Sequence, residues 1–413
     1  MKMEIKKCEK VEGKIQISGS KNTALPVMCA ALLTRKKVII DNVPDIEDIK
    51  NLIEIIQKIG CNIKIKKEKV IIKANKFNPI ILVKNVELLR GSYYLMGVSL
   101  TRYEKCITYL PGGCNFDNRP IDFHLNAFKQ LGYEITIYDK IIKLEKKNNN
   151  EKVIELPKKS VGATINTILA SLNFDEVTIK NISLEPEVLE VINFLKILGG
   201  NIELNNDTLI IRKSIFNKKA YFKIIGDRIE TGSYMLLASA IPNSKLIIKE
   251  APIKYLENVI DTIKKIGTNI YVNDEELVVI SNNKIKHLNL TIEEYPSFPT
   301  DLQQILTCVL LKANDPSTIK DLIYPKRISH IEELNKIGAN IVYDNNTIII
   351  NHANLSKGEV IVKDLRCGFA LIVAACICDD FLVIENFEVL KRGYQNIMKK
   401  LTNIGVNIKE YDL

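Results

Sequence analysis

The chain has 413 residues, 46% hydrophobic and 26% charged, with a formal net charge of +9, which points to a globular protein of two or three domains rather than one ordinary core. Lys and Glu are mixed along it, with no basic arm and no Arg stripe interleaved with aromatics, so nucleic acid is not an expected partner, while the positive balance fits an anionic ligand. The first ten residues are charged and lack an apolar core, the longest apolar stretches (near 234–241 and 370–378) are far short of a membrane span, and the nine Cys have no pairing rhythm, so the expectation is a cytoplasmic protein with reduced thiols and no membrane association.

In chain order, the first clear element is an apolar helix rich in small residues, KNTALPVMCAALLT (21–34). A strand follows, KVIIDNV (37–43), and then a helix that ends in IIQKIGCNI (55–63). The same succession returns as RGSYYLMGVSLT (90–101), KCITYL (105–110) and AFKQLGYEI (127–135). It returns again as VGATINTILASL (161–172), EVTIKNI (176–182) and NFLKILGGNI (193–202). The fourth copy is RIETGSYMLLASAI (228–241), KLIIKEA (245–251) and DTIKKIGTNI (261–270). The fifth is PTDLQQILTCVLL (299–311), STIKDL (317–322) and EELNKIGANI (332–341), and the sixth LRCGFALIVAACI (365–377), FLVIENF (381–387) and KKLTNIGVNI (399–408). Gly60, Gly132, Gly199, Gly267, Gly338 and Gly405 recur at intervals of about 70 residues. Each occupies the position after a helix where the chain must turn through positive φ, and β-branched strand formers come next.

Each repeat therefore reads strand–helix–strand–helix–strand–strand. Its first helix is apolar nearly all round and must be buried; its second carries Lys and Glu on one face and lies partly exposed. Three repeats can pool their apolar helices with sheets outside, so six repeats make two domains of three. Lys21 and Asn22 open the first buried helix, Arg90 the second, Ser160 and Gly162 the third. Arg228 opens the fourth, Thr300 and Asp301 the fifth, Asp364 and Arg366 the sixth. Helix N-termini present free N–H groups and partial positive charge, and added Lys and Arg sharpen the preference for anions. Any one of these residues alone would read as an N-cap or a surface ion pair. A set at equivalent points of a repeat points instead to an anion-binding face, and two such faces opposed would trap an anion between them.

The segment LPGGCNFDNRPIDFHL (110–125) breaks the pattern. Cys376 and Cys378 lie in an apolar helical run and, with only four His in the chain, read as core residues and not a zinc site. Cys114 instead follows a Pro-Gly-Gly turn in a polar loop, with Arg119 close by, where a thiol is accessible and its thiolate is favoured. Such a thiol can serve as nucleophile or acid; spacing alone leaves both open. No Walker loop, no G-x-G-x-x-G and no metal cluster is present, so no cofactor and no metal are expected.

SGSKNTALP (18–26), LPGGCNFDNRPIDFH (110–124), SVGAT (160–164), EPE (185–187), DRIETG (227–232), FPTD (298–301), DLR (364–366) and RGY (392–394) together resemble the enolpyruvyl transferases along essentially the whole chain, and the Gly-Gly-Cys loop resembles their cell-wall branch. The resemblance implies a two-domain inside-out α/β barrel of six βαβαββ units. One domain would span 21–228, and the other 229–413 together with residues 1–20. It implies transfer of the enolpyruvyl group of phosphoenolpyruvate to the 3-hydroxyl of UDP-N-acetylglucosamine, by addition and elimination with release of phosphate, at the first committed step of peptidoglycan precursor synthesis. Asp301 matches the family's carboxylate beside the attacking hydroxyl, and Cys114 its proton donor to the methylene carbon and the target of fosfomycin. Lys21, Asn22, Arg119, Arg366 and Arg392 match positions for phosphoenolpyruvate, with Lys21 and Arg392 also counted as catalytic. The sugar nucleotide would lie along Arg90, Arg119, Pro120, Ile121, Asp122, Phe123, Lys158, Lys159, Ser160, Val161, Asp301 and Ile323. Asp48, Glu187, Arg228 and Arg327 are further candidates. Lys391, Tyr295 and the run Cys367–Phe369 depart from the family's usual residues. Two other readings remain: the same fold acting on shikimate 3-phosphate, which lacks the cysteine loop, and a non-catalytic repeat protein that binds an anionic metabolite.

Overall fold

The structure is a computed structural model that describes residues 1–112, 121–147, 152–273 and 276–411. Its helices are α1 Lys21–Ala30, α2 Glu47–Lys58, α3 Tyr94–Tyr103, α4 Asp122–Gln130, α5 Val161–Ser171 and α6 Pro186–Leu198, then α7 Arg228–Ala240, α8 Glu257–Lys265, α9 Gln303–Leu310, α10 Ser329–Lys336, α11 Leu365–Ile377 and α12 Ile397–Asn403. Odd-numbered helices are the apolar ones of the six repeats. Every residue of α7 is buried, and so is every residue of α11 after its first. The even-numbered α2, α4, α8, α10 and α12 bury one face and expose the other. The six repeat glycines all adopt φ between 83° and 110°, the left-handed turn that ends each even-numbered helix and starts the next strand.

Contacts divide the chain into two compact units, one of residues 19–225 and one of residues 1–18 with 226–411. Each has its own core and three four-stranded sheets. Within a unit the odd-numbered helices pack on one another, α3 on α5 and α9 on α11, and the alternating strands press one apolar face onto them. This is an inside-out α/β arrangement, with helices central and sheets outside. Each sheet begins with a parallel pair, in four of the six flanking one buried helix as strands 153–155 and 176–180 flank α5, and continues with two antiparallel strands.

Three of the six sheets take a strand from outside their own repeat. The strand before α1, Glu12–Gln16, pairs with Lys245–Lys249 of the fourth repeat. The strand before α7, Ala220–Lys223, pairs with Val38–Asp41 of the first. The sixth repeat has no last strand of its own, and Met3–Lys6 fills that place between Phe381–Glu385 and Ile408–Glu410. Backbone edges accept any strand of matching pattern, so sequence proximity does not decide the pairing.

Candidate active site

In the 19–225 unit the helix starts gather at one end of the bundle. Ser20 caps α1, its hydroxyl accepting from the Thr23 amide at 3.3 Å. Lys21 is the first residue of α1, and its Nζ lies 3.2 Å from Asp48 Oδ2 of α2, a carboxylate only 6% exposed. Asn22 follows, half-buried. Arg90 does not open the helix proper. It opens a tight 3₁₀ turn, Arg90–Tyr93, that precedes α3, and its guanidinium lies over the Tyr93 ring. Gly91 sits so close to Leu25 of α1 that a Cβ would approach its side chain to 2.9 Å, and a Cβ on Gly162 of α5 would come within 2.6 Å of the Tyr93 hydroxyl. Those two close approaches set the turn carrying Arg90 directly between the starts of α1 and α5.

Behind that turn lies a buried polar group that the sequence reading missed. Asn166 of α5 accepts from the Gly97 amide at 2.9 Å, donates to the Tyr93 carbonyl at 2.9 Å and lies 3.1 Å from Nδ1 of His124. Burial, reinforced by Arg90, pulls the His124 imidazole down to about 3, so it is neutral. The signal was present in the sequence as the one amide side chain in the middle of a helix of apolar and small residues.

Of the residues expected along the sugar nucleotide, Ser160 caps α5 through the Ala163 amide and Val161 begins that helix. Lys158 is exposed, and Lys159 lies 3.6 Å from Asp207. Ile121 is buried, Asp122 is exposed in the first turn of α4 and Phe123 packs against the core. Cys114, Arg119 and Pro120 lie outside the described residues.

In the other unit, the start of the fifth repeat is also a 3₁₀ turn, Thr300–Leu302, with the α-helix beginning at Gln303. Asp301 on that turn is gripped from both sides. Arg327 Nη1 donates to Oδ1 at 2.6 Å and Arg366 Nη2 to Oδ2 at 3.0 Å, while the carboxylate keeps 24% of its surface exposed. Two guanidinium groups favour the ionised carboxylate. Arg366 also donates to Tyr394 Oη at 3.1 Å, and that hydroxyl pairs with Ser233 of α7 at 2.9 Å. Burial opposes the charge on Arg366, but Tyr394, Asp301 and Asp227 outweigh it and hold the group above its ordinary value.

Arg392, half-buried, ends the 3₁₀ turn Phe387–Arg392, two residues before Tyr394 in the chain. Ile323 packs partly against the core, its amide donating to Asp321, whose other oxygen accepts from Thr300 at 2.6 Å. The departures from the family pattern acquire physical roles. Tyr295 lies under the Arg228 guanidinium, and Phe369 fills the space between Tyr234 and Tyr394 beneath Arg366. Lys391 is exposed. Among the described residues, no group of three or more His, Cys, Asp or Glu side chains is arranged to hold a metal ion, and no helix is long and apolar enough to cross a membrane.

Central helices, outer sheets and cation-bearing helix starts define an enolpyruvyl transferase fold. The model of the family EPSP synthase (3-phosphoshikimate 1-carboxyvinyltransferase) matches residues 5–401, and the chain belongs to that family. Among curated relatives it is 36% identical over 402 residues to UDP-N-acetylglucosamine 1-carboxyvinyltransferase 2 of Staphylococcus epidermidis, covering 96% of each chain. The protein of the same name from Staphylococcus aureus matches to the same extent. Among solved structures, the enolpyruvyl transferase NikO from Streptomyces tendae superposes with a TM-score of 0.89 at 20% identity over 99% of this chain and 98% of that one. EPSP synthase from Acinetobacter baumannii superposes with a TM-score of 0.78 at 14% identity over 99% of both. These two likenesses concern the fold.

Proposed function

We propose that the protein transfers the enolpyruvyl group of phosphoenolpyruvate to the 3-hydroxyl of UDP-N-acetylglucosamine, releasing inorganic phosphate, and so begins peptidoglycan precursor synthesis in the cytoplasm. The observation that carries this reading is Asp301, a partly exposed carboxylate fixed between two buried arginines at a helix start. The acceptor is assigned from the curated relatives of that name and from the Cys114 segment.

In the addition step Asp301 takes the proton of the attacking hydroxyl as its oxygen bonds to C2 of phosphoenolpyruvate, and Cys114 gives a proton to the methylene carbon. The tetrahedral product then loses a proton from the new methyl group and expels phosphate, restoring the double bond. Lys21, Asn22, Arg119, Arg366 and Arg392 bind the phosphate and carboxylate and stabilise their shifting charge.

The test is phosphate release from phosphoenolpyruvate with UDP-N-acetylglucosamine as acceptor and shikimate 3-phosphate as control. Release is expected with the first acceptor alone, and its loss in Asp301→Ala and in Cys114→Ala. Folded protein that releases no phosphate, or that prefers shikimate 3-phosphate, would overturn the assignment.

A further inference from the structure

The triad Asp301, Arg327 and Arg366 has a second triad beside it, of buried Gln304 with half-buried Ser329 and Asp364. Gln304 Nε2 donates to Ser329 Oγ at 3.1 Å and to Asp364 Oδ2 at 3.3 Å, and Ser329 Oγ donates to that same Asp364 oxygen. Gln304 stands three residues after Asp301, Ser329 two after Arg327, and Asp364 two before Arg366. Each residue of this second triad thus anchors the short stretch of chain that carries one member of the first. The anchors all sit at helix starts, in the first turns of α9 and α10 and at the cap of α11.

Capping α11 does not require this arrangement. Asp364 Oδ1 alone accepts the Arg366 amide at 2.9 Å and the Cys367 amide at 3.1 Å. Oδ2 is left to join three helices. Burial pushes the Asp364 carboxyl up, but the bonds from Ser329, the Cys367 amide and Gln304 outweigh it and bring it below the ordinary range, so the centre of the triad is charged. Docking of α10 on the segment before α11 has a separate fastening. Glu333, fully buried, accepts the Ile361 amide at 2.9 Å and lies 3.4 Å from Lys363. The Ser329 hydroxyl is therefore not what holds the two elements together.

We propose that Ser329 and Gln304 are positioning residues for the reaction: by holding Asp364 Oδ2 they fix Arg327 and Arg366 on either side of the Asp301 carboxylate. The role rests on the reading of Asp301 as the group that accepts the hydroxyl proton. Charged and titratable groups around that carboxylate include Arg327, Arg366, Asp364, Tyr394 and Tyr324, with Asp321 reached through Thr300 and Asp227 acting on Arg366. Geometry matters here because small displacements of a reacting group cost rate steeply.

The experiment compares Ser329→Ala with the conservative Ser329→Thr. Ser329→Ala should lower kcat about tenfold with KM values little changed and move the acid limb of the kcat profile to higher pH, because a loosened clamp makes the carboxylate easier to protonate. Ser329→Thr should restore both. A second readout needs no turnover: the Asp301 carboxyl carbon, labelled with ¹³C and assigned by its disappearance in Asp301→Asn, should titrate at higher pH in Ser329→Ala. A folded Ser329→Ala protein with unchanged kcat and an unchanged midpoint overturns the proposal, as does a loss of thermal stability without either change. If Ser329→Ala does not fold, Gln304→Leu, which keeps the Ser329–Asp364 bond, carries the same two readouts. Absence of turnover in the unsubstituted protein counts against the enolpyruvyl reading, whereas the carboxyl midpoint decides the positioning role by itself.

Discussion

Asp301→Asn keeps the shape of the side chain and removes its charge and its capacity to accept a proton. If Asp301 is the base, its loss should lower kcat by about 10²–10⁴, equivalent to roughly 3–5 kcal/mol of barrier. The stability cost is separate. Arg327 and Arg366 side chains are 3% and 8% exposed, but Asp301 is 24% exposed, so this pair is incompletely buried. The penalty should fall below the roughly 3–5 kcal/mol of breaking a fully buried pair, at about 1–2 kcal/mol once solvent screening of the open side is allowed for. Both arginines lose their shared counter-ion and become more available to an anion, so KM for phosphoenolpyruvate should hold or fall. Steady-state phosphate release and thermal denaturation on the same preparation measure the two effects. A kcat within tenfold of the parent, or a KM for phosphoenolpyruvate that rises more than kcat falls, would refute this account of Asp301.

Acid stability should reflect two buried histidines. Burial lowers both His124 and His330 from the ordinary 6.5 to about 3. The folded state therefore binds fewer protons, and the stability that each contributes is present above pH 6.5 and lost as pH falls toward 3, by up to roughly 4 kcal/mol per histidine. Neither ring nitrogen of His330 has a hydrogen-bond partner among the described residues, so His330→Leu should be near neutral at pH 7 and flatten the acid loss; urea midpoints at pH 7 and pH 4.5 would show it, and an unchanged slope would contradict it. Asn166→Ala strips partners from the Gly97 amide, the Tyr93 carbonyl and His124 together and should cost about 3 kcal/mol or more by urea denaturation. Fosfomycin should add a single adduct at Cys114 by mass spectrometry, and failure to modify it would count against a reactive thiol there.

Much of the fold was legible in the sequence because its causes are local. Six glycines at left-handed turns, each after an amphipathic helix and before a β-branched strand, mark the repeat wherever the chain folds. A helix such as 365–377 is apolar nearly all round past its first turn and leaves no choice but burial. The polar residues at the starts of such helices could be read as a charged face for the same reason: a helix N-terminus carries its N–H groups and partial charge whatever surrounds it.

Partnership was not legible, because its causes are distant. Arg327 and Arg366 meet Asp301 from 26 and 65 residues away, and a guanidinium's sequence neighbours do not say which carboxylate it will find. The Gln304–Ser329–Asp364 triad was hidden in the same way; its only local sign was a Gln pair inside an apolar helix. Strand exchange belongs here too. Residues 3–6 complete the sixth repeat, and the strands before α1 and α7 serve sheets of other repeats, since open backbone edges select by register and shape. By itself, then, the sequence determined the repeat, its buried helices and the sign of the charge at their ends, all set within a few residues. Only the tertiary structure decided which strand closes which sheet and which arginines hold Asp301, because hydrogen bonds and ion pairs form between groups that folding, and not chain order, brings together.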